Sequence, residues 1–160
     1  VLPAQLPTEQ VELMQNKLYV VGNREKEFSK SSYNLSILET LPLIYREPGS
    51  GTRYVMERFL GQNKLTVRKK MELTSNEAVK QAVIAGLGYS IMPLIGIKNE
   101  LSSGNLQIIP VKGFPIQSTW NLIWLKNKSF SPAASSFLDH IKKNKDAIIR
   151  EKFDWVEKFV

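Results

Sequence analysis

Residues 43–93 read "LIYREPGSGTRYVMERFLGQNKLTVRKKMELTSNEAVKQAVIAGLGYSIMP". A short apolar run, Leu43–Arg46, leads into a glycine-rich turn. The stretch "TRYVMERFLGQN", residues 52–63, then places Val55, Met56, Phe59 and Leu60 at helical spacing, one apolar stripe on one face. "LTVRKKMEL", residues 65–73, alternates: Leu65, Val67, Met71 and Leu73 face one way, Thr66, Arg68, Lys70 and Glu72 the other, as a half-buried strand requires. "TSNEAVKQAVIAGLG", residues 74–88, opens on Thr74 and Glu77 in a capping-box pattern. It buries Ala78, Val79, Ala82 and Val83 and stops at Gly86. "YSIMP" is a buried strand closed by Pro93. Strands alternating with helices predict an α/β fold, a mostly parallel sheet flanked by helices and joined by right-handed crossovers.

The same alternation continues on both sides. Downstream, a weak helix through Leu101 and the turn "SSGN" lead to the strand "LQIIPV", residues 106–111. Upstream, residues 1–10, with Pro3 and Pro7, read as loop, and "VELMQNKLYVVG" reads as extended chain with Leu18, Val20 and Val21 buried. "NREKEFSKSS" is a polar connection, and "LSILETLPLIYRE" gives a short helix or turn before the strand at Leu43. The strand "STWNLIWLKN" is apolar on both faces, Trp120, Leu122 and Trp124 against Ile123 and Leu125, so it needs cover on both sides. "SPAASSFLDHIKKNKDAIIR" is a helix with Ser131 as N-cap and Pro132 in the first helical position.

Composition narrows the function classes. A chain of 160 residues with 42% hydrophobic and 23% charged residues has the make-up of a soluble globular domain, or of two small units sharing crossovers. Its apolar runs, such as "NLIWL", are far too short to span a bilayer, so no membrane partner is expected. With no Cys, disulfides, thiolate nucleophiles and Cys-ligated metals are excluded. Much of the net charge of +7 sits in the C-terminal third, in "HIKKNKDAIIREKF", where cations interleave with apolar residues as on a solvated helix face. The sequence carries no zinc-finger spacing, RNA-binding aromatic signature or helix-turn-helix pattern.

Two junctions carry the candidate site. In "REPGSGTR", residues 46–53, Arg46 and Arg53 flank Gly49, Ser50, Gly51 and Thr52 where a helix begins. A helix start has unsatisfied N–H donors and roughly half a positive charge, and glycine lets backbone approach a ligand, so the loop suits an anion. The alternative is a strand-to-helix turn in which Ser50 or Thr52 only caps the helix and the arginines are solvated. Thr74, Ser75 and Asn76 form a second such junction, and since all three are good caps, plain capping is the simpler reading of them. Both loops follow strands at their carboxyl ends, where ligands bind in open α/β sheets, and so should face one cleft. Gly86 and Gly88 follow a helix rather than a strand, which makes them a helix stop and not a dinucleotide fingerprint. His140, the sole histidine, reads as a surface residue of an amphipathic helix. With no nucleophile-elbow pattern and no metal cluster, no catalytic residue, metal or cofactor is assigned.

"REPGSGTR", then "SNEAVKQAVIAGLGYSIMP", then "FPIQSTWNLIWLKNKSFSPAASSFLDHI" together resemble the effector-binding domain of LysR-type transcriptional regulators. The resemblance runs from about Leu13 to Ile141 and is strongest to the branch containing regulators of Calvin-cycle carboxylase operons. It implies a two-lobed fold like that of periplasmic binding proteins, with a small effector between the lobes. Residues 1–30 would be part of the first lobe and the first crossover, residues 31–111 the second lobe, and residues 112–160 the return crossover and C-terminal helix of the first lobe. The chain begins Val1-Leu2-Pro3, and the resemblance implies a winged helix-turn-helix, a linker helix and half of the first lobe upstream.

On this reading the protein is a cytoplasmic sensor, not an enzyme. It takes a small anionic metabolite at Arg46, Gly49–Arg53 and Thr74–Asn76, pairs as a homodimer or higher oligomer, and meets DNA only through a domain outside this chain. The alternative that shares the fold is a periplasmic-type receptor for a small anion. The segment "DAIIREKFDWVEKFV", from Asp146, extends past the family pattern and carries no functional reading.

Overall fold

The computed structural model describes residues 6–159. Its elements are β1 (Thr8–Asn23), α1 (Ile37–Thr40), β2 (Pro42–Arg46), α2 (Gly51–Gln62), β3 (Arg68–Leu73), α3 (Asn76–Ile84), β4 (Ser90–Pro93), α4 (Lys98–Ser102), β5 (Leu106–Ile108), β6 (Ile116–Leu125) and α5 (Pro132–Lys158). A single 3₁₀ turn, Leu94–Gly96, precedes α4. Of the loop expected over residues 1–10, residues 1–5 lie outside the described residues, and β1 already starts at Thr8.

The chain divides into two compact units, Lys17–Ser118 and the remainder, with the boundaries falling inside β1 and β6. In Lys17–Ser118, β2 and β3 pair in parallel, Pro42 opposite Arg68 and Arg46 opposite Leu73, as the alternation of strands and helices predicts. A parallel bridge between Leu43 and Tyr89, with the Ile44 N–H donating to the Tyr89 carbonyl at 2.7 Å, carries β2 on to β4. The expectation of a mostly parallel sheet needs one correction. β1 runs antiparallel between β4 and β5, with Leu18 opposite Pro93 and Val21 opposite both Ser90 and Ile108. Its continuous run Leu18–Val21 is buried on both faces, which suits a central strand and explains why no polar residue alternates there.

The core of this unit is a cluster of Leu18, Val20, Leu38, Leu41, Leu43, Tyr45, Met56, Leu60, Ile91, Ile109, Val111 and Ile116. Met56 and Leu60 come from the predicted α2 stripe, while Val55 and Phe59 pack against the cluster half-buried. α3 contributes Val79, Ala82 and Val83 and ends at Gly86, whose φ of +72° is the left-handed stop that the sequence suggested. Its N-cap is Ser75, whose Oγ accepts from the Ala78 N–H at 3.0 Å, and not Thr74 as the capping-box spacing suggested. β3 begins at Arg68 rather than Leu65, and its Arg68, Lys69 and Lys70 are exposed, charges of the kind that keep a free strand edge from pairing with other chains.

In the second unit, Lys126 N–H donates to the Pro7 carbonyl at 2.9 Å, and Trp124 Nε1 donates to Glu9 at 3.0 Å. α5 lies with Lys142 over the Trp124 ring and Lys145 donating to the Glu12 carbonyl at 3.1 Å. Ser131 caps it, accepting from the Ala134 N–H, with Pro132 behind as predicted. The segment from Asp146 continues this helix to Lys158, and Val156 within it is buried. The apolar strand β6 is only partly covered: Trp120, Ile123 and Leu125 stay 40%, 38% and 46% exposed, and Phe137 of α5 is 58% exposed.

Candidate functional site

β2 ends at Arg46, and the chain turns through Gly49, at φ +91°, to reach Ser50, the N-cap of α2. The left-handed conformation accounts for glycine at position 49. The Ser50 Oγ is buried and accepts from the Arg53 N–H at 3.4 Å. Gly51 opens the helix, exposed and without a left-handed φ; a Cβ there would meet no atom within 4 Å. Neither conformation nor packing within this chain therefore demands glycine at 51. Thr52 is half-buried beside it.

The second junction leaves β3 at Leu73 and passes through Thr74 to the cap Ser75 and to Asn76, the first residue of α3; all three are exposed. The two junctions are adjacent because β2 and β3 are parallel neighbours that end in register, Arg46 opposite Leu73. The Glu47 N–H continues the ladder to the Leu73 carbonyl at 3.1 Å. Across the gap, Arg46 Nη1 donates to the Asn76 Oδ1. The structure thus brings the two predicted loops together at one end of the sheet.

The two arginines are neither solvated nor idle. Arg46 meets Glu47 through Nε at 2.7 Å and Nη2 at 2.8 Å. Arg53 meets Glu57 through Nε at 2.7 Å, and its Nη1 reaches Glu72 at 2.6 Å and the Arg46 carbonyl at 3.0 Å. Lys69 joins Glu72 at 3.3 Å. Three cations and three carboxylates balance locally. Their charge-assisted hydrogen bonds shift the groups accordingly. The Arg46 guanidinium holds the Glu47 carboxyl below its usual value, and Arg53, then Lys69, does the same for Glu72. Arg53 is raised in return by its bonds to Glu57 and Glu72. Behind it, Tyr45 lies under the Arg53 guanidinium, and burial, then Glu57, pushes its phenol up.

Sequence reasoning named the arginines but missed the three carboxylates. Glu57 was legible as the i,i+4 partner of Arg53 on α2. Glu47 and Glu72 were not, since adjacent strand residues point apart and Glu72 is on another strand. His140 lies on α5 with Asn144 as its neighbour at 3.2 Å. Among the described residues no group of three or more His, Asp or Glu is placed to hold a metal, and no helix is long and apolar enough to cross a membrane.

Two strand-to-helix junctions at one end of a parallel strand pair, with β1 running antiparallel between β4 and β5, make an α/β arrangement. The chain belongs to the LysR substrate binding domain family, which matches residues 3–146. It is 39% identical over 147 residues to the transcriptional activator CmpR of Synechocystis, covering 91% of this chain and 48% of CmpR. It is 42% identical over 127 residues to the RuBisCO operon transcriptional regulator of Acidithiobacillus ferrooxidans, covering 79% of this chain and 41% of that protein. The chain thus spans about half the length of the curated relatives it matches.

Among solved structures, the regulatory domain of Synechocystis CcmR, in complex with 2-PG, matches with a TM-score of 0.83 at 29% identity. That match covers 91% of this chain and 70% of the CcmR chain. The effector-binding domain of QuiR, in complex with shikimate, matches with a TM-score of 0.79 at 20% identity over 92% of this chain and 69% of its own, a likeness of fold. The family and the relatives favour the regulator over the solute receptor sharing the fold, and the RuBisCO operon regulators among them agree with the Calvin-cycle branch that the motifs indicated.

Proposed function

We propose that this domain senses a small anionic metabolite at Arg46, Gly49–Arg53 and Thr74–Asn76, and that occupancy biases DNA binding by a helix-turn-helix elsewhere in the full-length regulator. The observation that carries the reading is the pair of helix starts tied together through Arg46 and Asn76, with an open, unhindered glycine at 51 over the first turn of α2. Backbone N–H groups of the two helix starts, with the Thr52, Thr74 and Ser75 hydroxyls, give an anion several donors in a small volume. The 2-PG held by the CcmR domain makes that compound the first probe. An effector shifts the regulator only by preferring one of its states, so differential affinity is the quantity that matters.

The relatives are transcription regulators, and we assign this chain no catalytic role, no cofactor, a cytoplasmic location and a homodimeric or higher assembly. Calorimetric titration with 2-PG and with inorganic phosphate, in the regulator at the full length of its relatives, tests the site. Arg53→Ala should weaken binding on the order of tenfold, as loss of a charge-assisted contact does. Ser50→Ala should weaken binding as well. Unchanged affinity in both variants, with a lowered melting temperature, reduces the loop to a helix cap and overturns the assignment.

A further inference from the structure

Glu47 stands out at the proposed anion site, and the role inferred for it rests on that site. Adjacent residues of an extended strand point to opposite faces, so Arg46 and Glu47 should not meet. They meet at the end of β2, where the Glu47 N–H makes the last ladder contact before the turn. In that turn the Ser50 N–H donates to the Glu47 carbonyl at 3.2 Å, and the Glu47 carboxylate lies along the guanidinium edge. Two parallel contacts result, Nε to Oε2 at 2.7 Å and Nη2 to Oε1 at 2.8 Å. This is the fork geometry by which arginine holds a carboxylate or phosphate head. The remaining Nη1 is on Asn76. An anion arriving at the loop therefore finds the guanidinium edge that suits it already covered by a carboxylate of the same chain. Arg46 and Glu47 are 17% and 31% exposed in their side chains, close enough to solvent for the carboxylate to swing away.

We propose that Glu47 is a built-in competitor for Arg46, and that the effector binds by displacing it from the guanidinium fork. Glu47 thereby sets affinity and selects ligands whose head presents two oxygens side by side. A carboxylate or phosphate head can replace both contacts at once; a single-atom anion such as chloride cannot. The Glu47 carboxylate, released, remains charged and moves to solvent, so its removal by mutation strengthens binding. A purely structural ion pair behaves oppositely, since breaking it loosens the loop and weakens binding.

The experiment titrates the full-length regulator with 2-PG, inorganic phosphate and chloride, comparing wild type with Glu47→Gln, Glu47→Asp, Glu77→Gln and Arg46→Ala. Glu47→Asp keeps the charge but shortens the arm. Glu77→Gln removes the same charge beside Asn76 from a residue paired with Lys80. Expected for Glu47→Gln is binding of 2-PG and phosphate about fivefold tighter, the scale of a partly exposed ion pair, with chloride unaffected. Glu47→Asp should shift in the same direction, and Glu77→Gln by less than about twofold. The gain should vanish when Glu47→Gln is combined with Arg46→Ala. Equal or weaker binding by Glu47→Gln and Glu47→Asp, while Arg46→Ala still weakens wild-type binding, overturns the competitor and leaves the site standing. A gain by Glu77→Gln as large as that by Glu47→Gln makes the effect general electrostatics and also overturns it. Affinity indifferent to Arg46→Ala and Arg53→Ala, or no binding by any variant, removes the site itself.

Discussion

Arg46, the last residue of β2, donates through Nη1 to Asn76, the first residue of α3, and so ties two loops that are 30 residues apart in sequence. The contact links the carboxyl end of β2 to the first turn of α3.

The caps are the simplest to separate. Ser75 accepts the Ala78 N–H at the start of α3, although Thr74 fits a cap equally well by residue type. Ser75→Ala should cost about 1 kcal/mol in urea unfolding and Thr74→Ala only a few tenths. The reverse order would mean that Thr74 takes over the cap in solution.

Glycines divide by what surrounds them. A Cβ at Gly88 would lie 2.6 Å from the Pro42 carbonyl oxygen, backbone in the middle of the sheet. Gly88→Ala should therefore destabilise by about 2 kcal/mol or more, through overpacking that the strand cannot relieve. Gly61, near the end of α2, faces nothing within 4 Å. Gly61→Ala should stabilise by about 0.5–1 kcal/mol, the helix preference of alanine over glycine. Paired thermal melts of the two variants check both signs.

Acid should loosen the loop network in a defined direction. Glu47 and Glu72 both titrate below the usual carboxylate value of 4.5 in the folded chain, each held down first by its arginine. A folded-state value below the unfolded one gives stability that is complete above pH about 4.5 and is lost as pH falls through the lower, folded values. The urea midpoint should be flat from about pH 7 to 5 and decline below that. Glu72→Gln should lower the plateau and flatten the decline. A decline of wild-type steepness in Glu72→Gln would place the titrating groups elsewhere.

The apolar surface of β6 and α5 predicts association. Trp120 lies on one face of β6 and Ile123 and Leu125 on the other, and all three, with Phe137 of α5, are more than a third exposed, apolar side chains that association would cover. Light scattering of the 160-residue chain should report dimers or larger species, and Trp120→Ser with Phe137→Ser should shift them toward monomer. A monodisperse monomer at high concentration would count against the assembly.

Much of this domain was legible without coordinates, because the signals were local. Helical and alternating periodicities from Leu43 to Pro93, the Ser131–Pro132 helix start and the Gly86 stop each depend on a few consecutive residues, and each element appears in the order it was read, with β3 starting three residues later than its alternation suggested. The motifs "REPGSGTR", "SNEAVKQAVIAGLGYSIMP" and "FPIQSTWNLIWLKNKSFSPAASSFLDHI" together pointed to the family. What depended on tertiary structure was what distant segments do to one another. β1 enters the sheet antiparallel between β4 and β5, a pairing of Leu18 with Pro93 that no local pattern encodes. The choice between Ser75 and Thr74 as cap fell to backbone geometry, since "TSN" offers three residues able to do it. The arginines were visible, but their electrostatics came from the fold. Glu72 reaches Arg53 from the neighbouring strand and Asn76 reaches Arg46 from the next helix, since parallel pairing of β2 and β3 ends both strands at one level. Sequence supplied the charges, and register decided which of them neutralise each other.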